Sequence, residues 1–107
     1  MPWRWRWGWC RRGRPPAWIF LHELPKVKEF YPMPMLNNQP ISLSFAEFEA
    51  LRLVDLEDFK IEEAADKVNT SRGTIWRLVK NGRKKLMKAL VESRPLIIEV
   101  KGELKEI

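Results

Sequence analysis

Along the 107-residue chain, the spacing of apolar positions changes rhythm at residue 44 and again near residue 95. Before the first change, "AWIFLHEL" is a short, apolar, β-prone run. Pro25, Pro32, Pro34 and Pro40 then deny the chain a long helix, because proline lacks the amide that a helix interior requires. A strand is predicted at residues 17–21, with irregular chain after it.

At "LSFAEFEALRLVDLEDF" the pattern becomes helical. Ser44 and Glu47 have the spacing of a capping box, and Leu43 and Phe48 that of a hydrophobic staple. Phe48, Leu51, Leu53, Val54 and Leu56 form one stripe, predicted to face the core, with Glu47, Glu49, Arg52 and Asp55 largely outside it. A shorter second helix fits "IEEAADKV". It is acidic in its first turn, where the helix dipole favours negative charge, and small at Ala64 and Ala65, where a neighbour can approach. In the turn "NTS", Asn69 tolerates left-handed backbone and Ser71 is a competent N-cap.

The third helix, "RGTIWRLVKNGRKKLMKALVES", places Ile75, Leu78, Val79, Gly82, Leu86 and Leu90 on one face. Arg72, Gly73, Trp76, Arg77 and Lys80 fall on the other side. Arg94 and Pro95 end it, and "LIIEV" is predicted as a strand closed by Gly102. The fold class expected is therefore mainly α: a three-helix helix-turn-helix domain with short flanking β-strands and a basic N-terminal arm. Its divisions are an Arg/Trp-rich flexible arm at 1–16, an extended segment with a short strand at 17–43, the helical domain at 44–94, and a C-terminal strand and tail at 95–107.

Charge sharpens this picture. The net charge is +6, but residues 1–14 hold five arginines and no acid, residues 44–66 hold eight acids against two bases, and residues 72–88 hold seven bases and no acid. Such clustering is the electrostatic footprint of a polyphosphate partner. One cysteine, Cys10, and one histidine, His22, build neither a disulfide framework nor a zinc site, which points to a reducing compartment. With no apolar run long enough to span a membrane and no secretory leader, a cytoplasmic location is expected.

Two short helices, a turn of about three residues and a basic last helix are what a helix-turn-helix requires. The reading helix enters a groove lined by phosphates, where carboxylates are repelled and lysine or arginine gains by counterion release. The long stretch "ALRLVDLEDFKIEEAADKVNTSRGTIWRLVKNGRKKLMKALVESRPLIIE" also resembles a small prokaryotic family, domain of unknown function 134. That resemblance implies a DNA-binding helix-turn-helix like that of sigma factor region four, and supplies no target. The chain departs from the family pattern at Lys60, where a capping serine is common, at Asn69, where a glycine is, and at Gly73, where a glutamine often follows "SR".

Because Gly73 has no side chain with which to read a base edge, base contacts are assigned to Arg72, Thr74, Trp76 and Arg77. Lys80, Arg83 and Lys84 are placed nearer phosphate. Thr74 serves equally well as part of the cap, and Trp76 suits either a DNA contact or packing on the N-terminal strand.

Arg12, Gly13, Arg14 and Pro15 spell a core resembling an AT-hook, whose arginines lie along the narrow minor groove of A·T-rich DNA. Trp3, Trp5, Trp7 and Trp9 would share one face of an extended strand, with Arg4 and Arg6 opposite. Such a face suits unpaired bases, a membrane interface, or a strand folded back onto the domain.

The expected function is sequence-specific binding of double-stranded DNA in transcriptional regulation, without enzymatic activity, cofactor or metal. Two alternatives stand beside it. One is a protein-interaction module that touches RNA polymerase or another transcription protein through the acidic first helix. The other is a non-specific nucleic-acid or membrane-surface binder acting through the arm. A ribbon pairing residues 17–21 with 96–100 would leave open edges, from which a homodimer is expected.

Overall fold

Ser44 starts the first helix as its spacing requires: its Oγ accepts from the Glu47 amide at 3.1 Å, and Glu47 Oε1 accepts from the Ser44 amide at 2.8 Å. The structure, a computed structural model, describes residues 3–6 and 18–107. Helix α1 (Phe45–Leu51) runs directly into a π-helical turn, Arg52–Leu56, closed by the Glu57 amide on the Arg52 carbonyl at 2.9 Å. The wider turn rotates the residues beyond it out of the α-helical stripe. Leu53 stays buried, but Leu56, expected on the core stripe, is 71 % exposed.

Helix α2 (Ile61–Val68) matches its predicted bounds. Lys60 supplies only half a capping box, its amide donating to Glu63 Oε1 at 2.9 Å. Asn69 takes the left-handed conformation, φ 60° and ψ 51°, and Ser71 caps α3 (Arg72–Glu92) by accepting from the Thr74 amide at 3.1 Å. The buried face of α3 is Ile75, Leu78, Val79, Gly82 and Ala89. Leu90, expected on that face, is 75 % exposed, because in this turn Ala89 takes the buried position instead.

The expectation of a mainly α fold is overturned. The described residues form three helices and six strands in two sheets, with 22 % of them in strands against 44 % in helices, a mixed α/β fold. Strands β1 (Trp3–Arg6), β2 (Ile19–Leu21) and β6 (Glu103–Glu106) make an antiparallel sheet in the order β2-β1-β6. Strands β3 (Glu29–Phe30), β4 (Ile41–Ser44) and β5 (Leu96–Glu99) make the second, with β5 central, antiparallel to β3 and parallel to β4.

The helical unit α1–α3 is thus the crossover joining two parallel strands, β4 and β5, in register from Ile41 opposite Leu96 to Ser44 opposite Glu99. The expected ribbon between residues 17–21 and 96–100 does not form. Each run is a strand, but β2 takes β1 as its partner and lies at the edge of its sheet, while β5 is covered on both edges by β3 and β4.

The opening stretch is not wholly an arm. Trp3–Arg6 is the middle strand of its sheet; Trp5 is fully buried and donates its indole N–H to the Val100 carbonyl, and Trp3 packs on the same core. The strand alternation turns these indoles inward, which selects the folded-back reading for both. Gly102 makes this possible. A Cβ there would lie 2.2 Å from the Arg6 carbonyl oxygen and 3.0 Å from Trp5 Cε2.

A single core joins Trp5, Ile19 and Leu21 of one sheet, Ile41, Leu43 and Leu96 of the other, and the inner faces of all three helices. Gly82 lets α3 approach α1, since a Cβ would stand 2.7 Å from Leu51 Cδ1. Two acids expected outside are inside. Glu47 bonds Lys85 Nζ at 2.7 Å, and Glu49, 1 % exposed, accepts from Arg52 Nε at 2.7 Å and from the His22 amide. Burying a carboxylate is tolerated only with such partners. Burial lowers the Arg52 pKa, but the hydrogen bond to Glu49 and the charges of Glu49, Glu23 and Glu57 outweigh it, and the net direction is upward.

Candidate nucleic-acid interface

The turn Asn69–Thr70–Ser71 sets α3 against α2. Its seating depends on Ala64 and Ala65, both buried, which let Val68 and Ile75 pack without an intervening side chain. The cap adds a second restraint, because Ser71 Oγ also donates to Thr74 Oγ1 at 2.9 Å. Thr74 is therefore occupied in holding the helix start, and sits half-buried rather than projecting fully.

On the outer side of α3, Arg72, Gly73, Trp76, Arg77, Lys80, Arg83 and Lys84 are all exposed. Trp76 is 49 % exposed and lies outside the core cluster. Among the described residues, Arg77, Lys80 and Lys84 have no carboxylate at ion-pair distance, so three cations face outward uncompensated. Arg72 makes a long contact of 3.4 Å with Glu62 of α2, both side chains well exposed. An exposed pair of this kind is worth little and yields readily to a phosphate.

Arg83 is different. Its Nη2 and Nε donate to Asp55 Oδ1 and Oδ2 at 2.6 and 3.1 Å, a bidentate pair that raises the Arg83 pKa and lowers that of Asp55. The candidates Arg72, Trp76, Arg77, Lys80 and Lys84 thus share an unobstructed face, while Arg83 is tied to the π-helical turn. Arg12 and Arg14 lie outside the described residues, as do Trp7 and Trp9.

A second basic surface was only partly legible in the sequence. On the face of the N-terminal sheet opposite Trp5, the guanidinium carbons of Arg4 and Arg6 stand 4.6 and 4.3 Å from the ring centroid of Trp18, with Lys105 Nζ at 5.9 Å. The alternation "WRWR" places the two arginines together; Trp18 and Lys105 join them only through the sheet register. This sheet reaches the helix-turn-helix where the His22 ring meets the Lys67 carbonyl at 2.8 Å, two residues before Asn69.

A sequence profile of the family described as "Protein of unknown function DUF134" matches residues 9–107. The chain is 43 % identical over 104 residues to a UPF0251 protein of Archaeoglobus fulgidus, covering 97 % of this chain and 98 % of that one. It is 44 % identical over 100 residues to a UPF0251 protein of Pyrococcus furiosus, covering 91 % and 90 %. A UPF0251 protein of Caldanaerobacter subterraneus is 36 % identical over 88 residues, covering 80 % and 75 %. No solved structure matches the chain at a significant level. Among the described residues, no helix is long and apolar enough to cross a membrane.

Proposed function

Because the chain belongs to the DUF134 family, whose name carries no activity, we propose from the geometry that it is a sequence-specific, cytoplasmic DNA-binding protein that regulates transcription. The observation that carries this reading is the outer face of α3. A three-residue turn presents it, and Arg77, Lys80 and Lys84 point outward with no acid among the described residues to neutralise them.

In the proposed complex the first turns of α3 enter the major groove. Arg72 and Arg77 have the planar forks that match guanine O6 and N7, and Trp76 offers an apolar surface to a thymine methyl or a sugar. Lys80 and Lys84 neutralise flanking phosphates and release counterions, and Thr74 positions the helix start. Arg83 joins them only when it leaves Asp55. Arg12 and Arg14 add a sequence-tolerant contact to the minor groove or backbone.

Two observations weigh against the alternatives. A transcription-machinery contact through the acidic first helix loses two of its acids, since Glu47 and Glu49 are buried and satisfied by Lys85 and Arg52, and keeps only Asp55, Glu57 and Asp58 on the surface. Membrane insertion or base stacking by the opening tryptophans would need Trp3 and Trp5 free, whereas both pack on the core.

Fluorescence anisotropy with duplex oligonucleotides at several salt concentrations tests the proposal. Removing both cations in Arg77→Ala/Lys80→Ala should weaken binding and reduce the logarithmic salt slope by up to about 2. An unchanged slope and affinity would place the contact elsewhere on the protein.

A further inference from the structure

The N-terminal sheet turns Trp3 and Trp5 to the core, and strand alternation sets Arg4 and Arg6 on its other face. Pairing then fixes their neighbours. Arg4 stands opposite Phe20 on β2 and Lys105 on β6, and Arg6 stands opposite Glu103. Trp18, one residue before β2, takes both guanidiniums against its ring.

The charges on this face do not cancel. The acid that the alternation places there, Glu103, is engaged by Arg6, whose Nε and Nη2 donate to its Oε2 at 3.2 and 3.0 Å. Among the described residues, Arg4 and Lys105 meet no carboxylate at ion-pair distance. The Arg4 Nε is buried and has no hydrogen-bond acceptor. Leaving a guanidinium N–H in that condition is costly, and what holds the group in place is the indole, not an acid.

We infer that this face is a second contact for the DNA backbone, with Arg4 and Lys105 each taking a phosphate. Charge selects the occupant, because uncompensated cations gain by displacing counterions from a polyanion. The stacking refines the choice. A guanidinium held flat on an indole keeps its N–H edge for a phosphate, and the ring it covers is no longer an open platform for unpaired bases.

The sheet is also fastened to the helix-turn-helix. Strand β2 runs into His22, whose ring meets the carbonyl of Lys67, the penultimate residue of α2, at 2.8 Å. Phosphate contacts position a protein without reading sequence, so this face adds affinity and orientation while α3 supplies selectivity. The inference takes its partner from the DNA-binding reading of α3, and the experiment separates the two.

Anisotropy of the full chain, with reductant, on labelled duplexes of several sequences over a range of salt concentrations tests it. Arg4→Gln/Lys105→Gln should weaken binding to every duplex alike and lower the logarithmic salt slope by up to about 2, with circular dichroism unchanged. Where the Arg4 substitution unfolds the sheet, Lys105→Gln alone, on the exposed edge strand β6, should lower the slope by about 1. An unchanged slope in these variants beside a fall in Arg77→Ala/Lys80→Ala overturns the inference and leaves α3 as the contact. A fall in the sheet variants alone keeps this contact and removes the reading of α3. A wild type without affinity for any duplex overturns both. A greater loss on a single strand than on the duplex overturns the inference too, because Trp18 would then be stacking on bases.

Discussion

Arg83 grips Asp55 by two hydrogen bonds, Nη2 to Oδ1 at 2.6 Å and Nε to Oδ2 at 3.1 Å, and so ties helix α3 to the π-helical turn that ends α1. The hydrogen bond from Arg83, assisted by its charge and opposed by partial burial, holds the Asp55 carboxyl below its ordinary pKa. The folded chain therefore binds this proton less readily than the unfolded chain. The stabilisation is complete above the ordinary carboxylate value of about 4 and is lost as pH falls through the folded value.

Both groups are about half exposed, so the effect on stability is discounted for screening to ~1 kcal/mol or less. Thermal melts of Asp55→Asn should differ from wild type at neutral pH and converge in acid. The same variant frees a cation on the proposed DNA side, so its affinity for duplex DNA should rise rather than fall.

Trp5 and Gly102 make the second prediction. Trp5→Ala should cost about 3–5 kcal/mol, as expected for removing a buried aromatic side chain. Gly102→Ala should cost about 1–3 kcal/mol, because the new methyl meets the Arg6 backbone and the indole must give way. Urea denaturation measures both. Equal stability in either variant would mean that the N-terminal sheet contributes nothing to the fold.

The features legible in the sequence were local. Ser44, Asn69 and Ser71 announce helix boundaries through contacts within three residues, and α2 and α3 begin and end close to where those signals stand. The outward set on α3 followed from the helical period alone. The hidden features depend on distant partners. The sequence does not show that Trp5 will be received by Gly102 and Val100, or that Ile41–Ser44 will find Leu96–Glu99 across three helices. Strand β6, "ELKE", has no apolar alternation to betray it; it lies at the sheet edge beside β1, with Leu104 packed on the core and Glu103 accepting from Arg6 Nη2 at 3.0 Å. Glu49 looks like a surface acid until Arg52 and the His22 amide enclose it.

Gly73 offers a gain-of-function experiment. A Cβ added there meets only Ser71 Oγ, at 4.0 Å, so the position accepts a side chain without rearrangement. Gly73→Gln should stabilise the protein by several tenths to about 1 kcal/mol through helix propensity. If α3 lies in the major groove, the new amide should add a preference for adenine at one position of the bound sequence.

The proposal that α3 reads DNA is tested most directly by selecting binders from a random duplex pool, using the full chain and its Arg72→Ala/Arg77→Ala variant. A short motif that the wild type enriches and the double variant loses is the predicted result. Unselective binding, equal in both proteins and weakened only by Arg12→Ala/Arg14→Ala, would contradict it and leave an electrostatic binder acting through its opening arginines.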